Sequence, residues 1–252
     1  MRLNSFFINQ YLFFGDTLVY DRWRWIASKL PKTNEDSKLL DIGCGSGAFT
    51  LKASSLGYNS TGLTWDKKCA KKCSQRAGRF ALKNCKFEIF DARRLKDYSH
   101  SGFDVILNTE NIEHIIDDLS LFNAMFSKLK KGGFLLLTTP NFYYKSITDS
   151  DNGPFSKFED GWHVRRGYSK EMLRELCIKS GFKVEEISYC SGFFSQKVTF
   201  LLRILNGILG VRISWFITFP LRIFPIIFDN ILSKIIKYEN YSICLVAYKP
   251  RF

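Results

Sequence analysis

Two kinds of residue in this chain are suited to chemistry: a glycine-rich turn behind an acid, and two histidines set among polar groups. The turn is Leu39-Leu40-Asp41-Ile42-Gly43-Cys44-Gly45-Ser46-Gly47-Ala48-Phe49-Thr50. An apolar run ends in an acid, three glycines alternate through a tight turn, and a helix-compatible segment follows. Glycine serves there because a Cβ would block both the turn and the close approach of a ligand to backbone. That order brings main chain against a nucleotide-like cofactor at the C-terminal end of a strand. Gly43, Gly45 and Ala48 also satisfy the dinucleotide pattern, so the glycines alone leave open whether the cofactor is NAD or another adenosyl compound. Of three histidines, His100 lies in a loop and is read as inert. His114 follows Glu113, and His163 sits in the polar-aromatic stretch Glu159-Asp160-Gly161-Trp162-His163-Val164-Arg165-Arg166-Gly167-Tyr168. Imidazole exchanges a proton near neutral pH without large tuning, which suits either to base work.

The elements around these residues alternate. Strands are expected at about 38–43, 59–65, 86–91, 103–109 and 134–139, with helices between them, the last closed by Lys131-Gly132-Gly133. Asp117 or Asp118 can cap the helix that carries Leu119, Leu121, Phe122, Met125, Phe126 and Leu129 at helical spacing. A helix from about Ser169 to Ser180, a strand from Phe182 to Cys190 and a final strand from Tyr241 to Tyr248 complete the series, and an amphipathic helix over about 9–30 precedes it. Such alternation specifies an α/β, Rossmann-like, doubly wound, mostly parallel seven-stranded sheet. The expected organisation is one domain over 1–252: an N-terminal helical segment (1–34), a cofactor-binding core (35–192), an apolar insert or cap between the last two strands (193–240) and the last strand (241–252).

Three motifs in this order resemble class I S-adenosylmethionine-dependent methyltransferases: the Asp41-to-Gly47 loop, Phe103–Asn108 leading into Glu110-Asn111-Ile112-Glu113-His114-Ile115, and Leu129-Lys130-Lys131-Gly132-Gly133-Phe134 through Asn141. The likeness covers roughly residues 35–190. It implies S-adenosylmethionine as cofactor, held by Asp41, Gly43, Cys44, Gly45 and Gly47, with the acid fixing the loop or bonding the cofactor's ammonium. The end of the second strand departs from the family pattern. Thr64 stands at the usual acidic position, so Thr64 and Trp65 are expected contacts, while Asp66 either reaches the ribose or only caps a helix. Asp91 and Ala92 are expected at the adenine, Asn108 and Thr109 on the methionyl side, and Tyr20 and Arg22 either close over that end or lie on the surface. His114 and His163 are the catalytic candidates, with a structural role for His114 the competing reading. The 159–168 stretch is similar to a loop of small-molecule methyltransferases near the ubiquinone-biosynthesis O-methyltransferases, and Asn111, Tyr144, Arg165 and Tyr168 are assigned to the substrate side.

At 252 residues, 46% hydrophobic and 16% aromatic, the chain has apolar surface to spare, and its net charge is +13. A basic surface attracts nucleic acid, anionic lipid or acidic substrates. Much of the charge has a plainer home on Lys67, Lys68, Lys71, Lys72, Arg76 and Arg79, the solvated face of one helix. The place after the fourth strand reads Asn108-Thr109-Glu110-Asn111, without the Asn/Asp-Pro-Pro-aromatic motif of base-methylating enzymes, so a nucleic-acid methyltransferase is the rival reading and no nucleic-acid partner is expected. A non-catalytic cofactor-binding scaffold is the other rival, and the intact glycine loop and Asp91 argue against it. Seven cysteines without a C-x-x-C pair read as reduced thiols, and Cys69 and Cys73, one turn apart, as helix packing, so no metal site is expected. No secretory signal is read at the N-terminus, and a cytoplasmic location follows as the expectation. Residues 196–236 hold apolar segments broken by Arg203, Arg212, Arg222 and Lys234, none as long as the ~20 residues of a membrane span. They suit peripheral contact with the inner face of a membrane, a cap over a greasy pocket or a contact between subunits. The expected acceptor is a small hydrophobic molecule (a quinone or phenol, a lipid or a lipid-linked metabolite), methylated on oxygen rather than carbon.

Overall fold

The computed structural model describes residues 16–147 and 149–251. Helix α1 (Thr17–Lys29) begins at Asp16, whose carboxylate accepts from Val19 N at 3.0 Å; the earlier part of the helix expected over 9–30 lies outside the described residues. Then come β1 (Lys38–Ile42), α2 (Ala48–Ser55), β2 (Asn59–Thr64), α3 (Lys67–Arg79), β3 (Cys85–Ile89) and β4 (Phe103–Thr109). Helix α4 (Asp118–Lys128), β5 (Leu129–Pro140), α5 (Lys170–Ser180) and β6 (Lys183–Cys190) follow. Three helices, α6 (Phe193–Leu209), α7 (Val211–Thr218) and α8 (Ile223–Ile235), fill the connection to β7 (Ser242–Tyr248).

The seven strands run in the order β3-β2-β1-β4-β5-β7-β6, with β7 antiparallel to both neighbours and the rest parallel. Alternate strand residues feed opposite faces. Leu40, Ile42, Ile106, Leu135 and Leu137 join the core under α4 and α5, while Leu39, Val105, Leu107 and Leu136 join Trp23, Ile26 and Phe49 on the other side. Central strands buried on both faces need near-continuous apolar runs, which is how β1, β4 and β5 read.

One boundary differs from the sequence expectation. Lys131-Gly132-Gly133 does not close α4, which ends at Lys128 with Leu129 already extended. Leu129 pairs with Phe103, the register slips, and Phe134 pairs with Val105, so the glycines form an irregularity inside β5. Strand order reverses at β1, whose neighbours are β2 and β4. Loops leaving the C-terminal ends of β1 and β4 therefore diverge and leave a crevice, the usual ligand position in open α/β sheets.

Candidate active site

The β1–α2 loop forms one wall of that crevice. Gly43 has φ +72°, and a Cβ built on it would stand 2.3 Å from Asn111 Oδ1. Gly45 has φ +49°, and its Cβ would meet no heavy atom nearer than 4.0 Å, so this side of the loop faces open space. Left-handed φ and a closed rear face restrict the loop to glycine, while the open front accepts a ligand against bare main chain.

A cavity of about 400 Å³ lies before the loop, lined by Gly43, Gly45, Leu63, Thr64, Trp65, Phe90, Asp91, Ala92, Arg93, Glu110, Asn111, His114, Ile115, Glu159, Asp160 and Gly161. Of the residues expected at the cofactor, Gly43, Gly45, Thr64, Trp65, Asp91 and Ala92 are in this lining. Trp65 is 68% exposed, and Gly161 of the long β5–α5 connection approaches it across the mouth. Thr64 Oγ1 accepts from Asp66 N at 3.3 Å. Asp66 spends its carboxylate on capping α3, accepting from Lys68 N at 2.7 Å. Asp91 is paired with Arg93, Nε to Oδ2 at 2.9 Å, and that guanidinium holds its carboxyl below the usual range.

Asp41, Cys44, Gly47, Asn108 and Thr109 stand outside the lining. Asp41 is fully buried; Oδ2 accepts from Thr50 Oγ1 at 2.6 Å, and Oδ1 has no partner. Burial pushes its carboxyl up to about 6, partly countered by Thr50. Both side-chain polar atoms of buried Asn108, and Nδ2 of Asn111, are likewise unpartnered. Buried polar atoms without partners are uncommon. Here they gather at the ends of β1 and β4 beside a glycine cradle open to the cavity, and an adenosyl amino acid carrying an ammonium and hydroxyls fits that donor set.

The β4 loop supplies the second wall. Glu110, at φ +47°, forms a 2.7 Å ion pair with buried Arg22 of α1, which ties the helix to the cavity lining. Glu113 is fully buried; Oε2 accepts from Thr139 Oγ1 at 3.0 Å, and Oε1 has no hydrogen-bond partner. His114 Nε2 and His163 Nε2 each lie 4.0 Å from that oxygen, and the two rings meet edge to face at 4.7 Å. Burial first, and Glu110 second, raise the Glu113 carboxyl well above its ordinary range, while burial and His114 lower the His163 imidazole. His114 lines the cavity and its Nδ1 is unpartnered; His163 is not in the lining. Glu113, His114 and His163 each offer a ligand atom within 4.8 Å of the others, spacing that could hold a divalent ion. The sequence reading expected no metal site; this group joins the adjacent Glu113 and His114 to His163 of the long connection, a meeting that only the fold brings about.

Three residues assigned to the substrate side lie outside the cavity lining, with their polar groups bonded within the fold. Tyr144 is buried, donates to Asp151 O at 3.0 Å and packs on Tyr241. Tyr168 is fully buried and donates to Asp118 Oδ2 at 2.8 Å. Arg165 pairs with Asp118 and donates to Ile115 O and Ile116 O, each at 2.8 Å. Arg165 and Tyr168 thus clamp the long connection onto α4 and the β4 loop, which sets His163 in place. Asn111 remains at the cavity. Tyr20 is not in the lining, and Arg22 reaches the cavity through Glu110. Arg93, Glu110 and Glu159 line the cavity without having been singled out; the positive φ that turns Glu110 inward carries no sequence signature.

A family profile described as a methyltransferase domain matches residues 19–187. The ubiquinone biosynthesis O-methyltransferase of Pelagibacter ubique (strain HTCC1062) is 36% identical over 116 residues, 46% of this chain and 47% of that protein. The enzyme of the same name from Thiobacillus denitrificans is 30% identical over 136 residues, 50% of this chain and 53% of that one. The chain spans about half the length of the curated relatives it matches. Among solved structures, phosphoethanolamine N-methyltransferase 2 of Haemonchus contortus with bound S-adenosyl-L-methionine aligns at TM-score 0.65 and 18% identity over 97% of this chain and 56% of that one. Geranyl diphosphate C-methyltransferase of Streptomyces coelicolor aligns at TM-score 0.60 and 16% identity over 90% of this chain and 79% of that one. At such identities the two structures speak for the fold.

Proposed function

The chain belongs to the S-adenosylmethionine-dependent methyltransferase family, and on that premise we propose that it methylates a hydroxyl oxygen of a small hydrophobic acceptor, a phenol or quinol. The observation that carries this reading is His114, which lines the cavity beside the glycine cradle and faces the unpaired oxygen of Glu113. The cofactor supplies a methyl group on a sulfonium, open to in-line attack. A neutral phenol is a poor nucleophile, and a base within reach of its proton is the remedy. His114 takes that proton; the Glu113 carboxyl, held by Thr139, stands 4.0 Å from its Nε2, and the His163 ring, packed edge to face on it, fixes the orientation of its neighbour. Trp65 and the Glu159–Gly161 segment narrow the cavity mouth and limit water. Leu63, Phe90 and Ile115 give the lining its apolar part. The relatives named for ubiquinone O-methylation support an aromatic hydroxyl as the acceptor group.

The test is turnover of labelled S-adenosylmethionine on a panel of alkylated catechols, simple phenols, fatty acids and amines. Catechol or phenol methylation that falls at least a hundredfold in His114→Ala, with cofactor affinity kept, supports the reading. Methylation of amines or fatty acids only, indifferent to His114, overturns it.

A further inference from the structure

The three helices between β6 and β7 are built inside out. Their inward positions are rich in polar groups: Ser195 and Thr199 on α6, beside the apolar Val198 and Leu202, Ser214 and Thr218 on α7, and Asp229 and Ser233 on α8, all buried. Asp229 accepts from Gly192 N at 3.0 Å and Ser195 N at 3.1 Å, Ser233 Oγ from Phe193 N at 2.9 Å, and Thr199 shares a 2.8 Å hydrogen bond with Thr17 of α1. Their outward positions are apolar. Phe200, Ile204 and Ile208 recur one turn apart along α6, and Ile227, Ile231 and Ile235 along α8, all exposed. Ile213 and Phe216 on α7 are 54% and 72% exposed. A helix facing water reverses this arrangement, as α3 does, with Ala70, Cys73 and Ala77 inside and its lysines outside.

The charges on the unit point to what covers it. From 193 to 240 there are six basic residues and two acidic ones, and Asp229, one of the two, is buried. Arg203, Arg212 and Lys234 are exposed among the apolar side chains. Val211–Thr218 and Pro220–Asp229 together have the length and apolarity of a span but meet at 51°, and no single described helix is long and apolar enough to cross a membrane. We propose that α6–α8 form a docking surface for an anionic lipid bilayer, lying in its interface with the isoleucine and phenylalanine faces among the acyl chains and the arginines and lysines at the headgroups. Helix α6 rests on α1, whose Arg22 holds Glu110 in the cavity lining, so the docked unit stands one helix away from the cavity. Drawing the acceptor from the bilayer rests on the function proposed above; docking itself does not.

The experiment is sedimentation of the full chain with vesicles of phosphatidylcholine containing zero to 40 mole per cent phosphatidylglycerol (about the range over which surface charge acts), beside sedimentation velocity without lipid. Docking predicts binding that rises with phosphatidylglycerol and falls at least tenfold in the Ile213→Asp, Phe216→Asp double variant, with cofactor affinity unchanged. Replacing Arg203, Arg212 and Lys234 by Gln should weaken binding about a hundredfold, roughly fivefold per cation, without touching the apolar face. Absence of vesicle binding at every composition overturns the proposal. So does a self-association of the lipid-free chain that the double variant disperses while vesicles leave it unbound, since the face then joins copies of this chain.

Discussion

Asp41 illustrates what a single side chain reveals about its missing partner. Its raised carboxyl, about 6 against an ordinary 3.8, means that burial costs the ionised form on the order of 3 kcal/mol. Above pH 6 the cofactor-free fold carries that cost, and a cationic group placed beside the unpaired oxygen relieves it. Cofactor affinity, read by calorimetry, should therefore be flat from pH 8 to about 6 and fall below it, by up to tenfold per pH unit, as Asp41 takes a proton. Asp41→Asn should weaken the cofactor at least tenfold at pH 8 yet melt no lower than wild type, because it removes a charge that the protein itself leaves half satisfied. His114→Ala separates differently: turnover falls while binding stays. At this scale the sequence was informative where chemistry is local. Asp41, Gly43, Gly45 and the Glu113-His114 pair were legible from type and spacing. The meeting of His163 with Glu113 was not, since it depends on how Arg165 and Tyr168 clamp a long loop to Asp118.

The elements explain why the cavity keeps its shape. Gly43 is fixed from both sides, by its φ of +72° and by Asn111 at 2.3 Å from any added Cβ. Gly43→Ala should abolish measurable cofactor binding and lower the melting temperature by several degrees, because either the loop or the β4 turn must shift. The Arg22–Glu110 pair couples α1 to the same turn, with side chains 9% and 20% exposed. Removing the cation strands a partly buried carboxylate, so Arg22→Met should cost about 3 kcal/mol in denaturant unfolding, while Arg22→Lys recovers part of it. Strand and helix positions were readable because apolar periodicity and capping acids are local signals: β4 runs over Phe103–Thr109 as expected, and α4 starts behind Asp117. The slip at Lys131-Gly132-Gly133 was not, since a glycine pair reads equally as a helix stop or as a strand irregularity until its partner strand is known.

Across the whole molecule, the polar cavity at the strand ends and the inverted helices beyond β6 suit an enzyme that meets a greasy acceptor at one side and a soluble cofactor at the other. Composition hinted at this through 24 phenylalanines and a net charge of +13. Only the packing showed that α6–α8 turn their apolar faces outward, because the same residues would serve as an ordinary core layer. The most direct measurement of the central claim uses methyl-labelled S-adenosylmethionine. The purified chain is incubated with an extract of its source cells, and label is counted in organic-soluble, small aqueous, nucleic-acid and protein fractions. The account predicts label in the organic fraction, on an alkali-stable ether, and its loss in His114→Ala. Label confined to nucleic acid or protein, or none in any fraction despite cofactor binding, would contradict it.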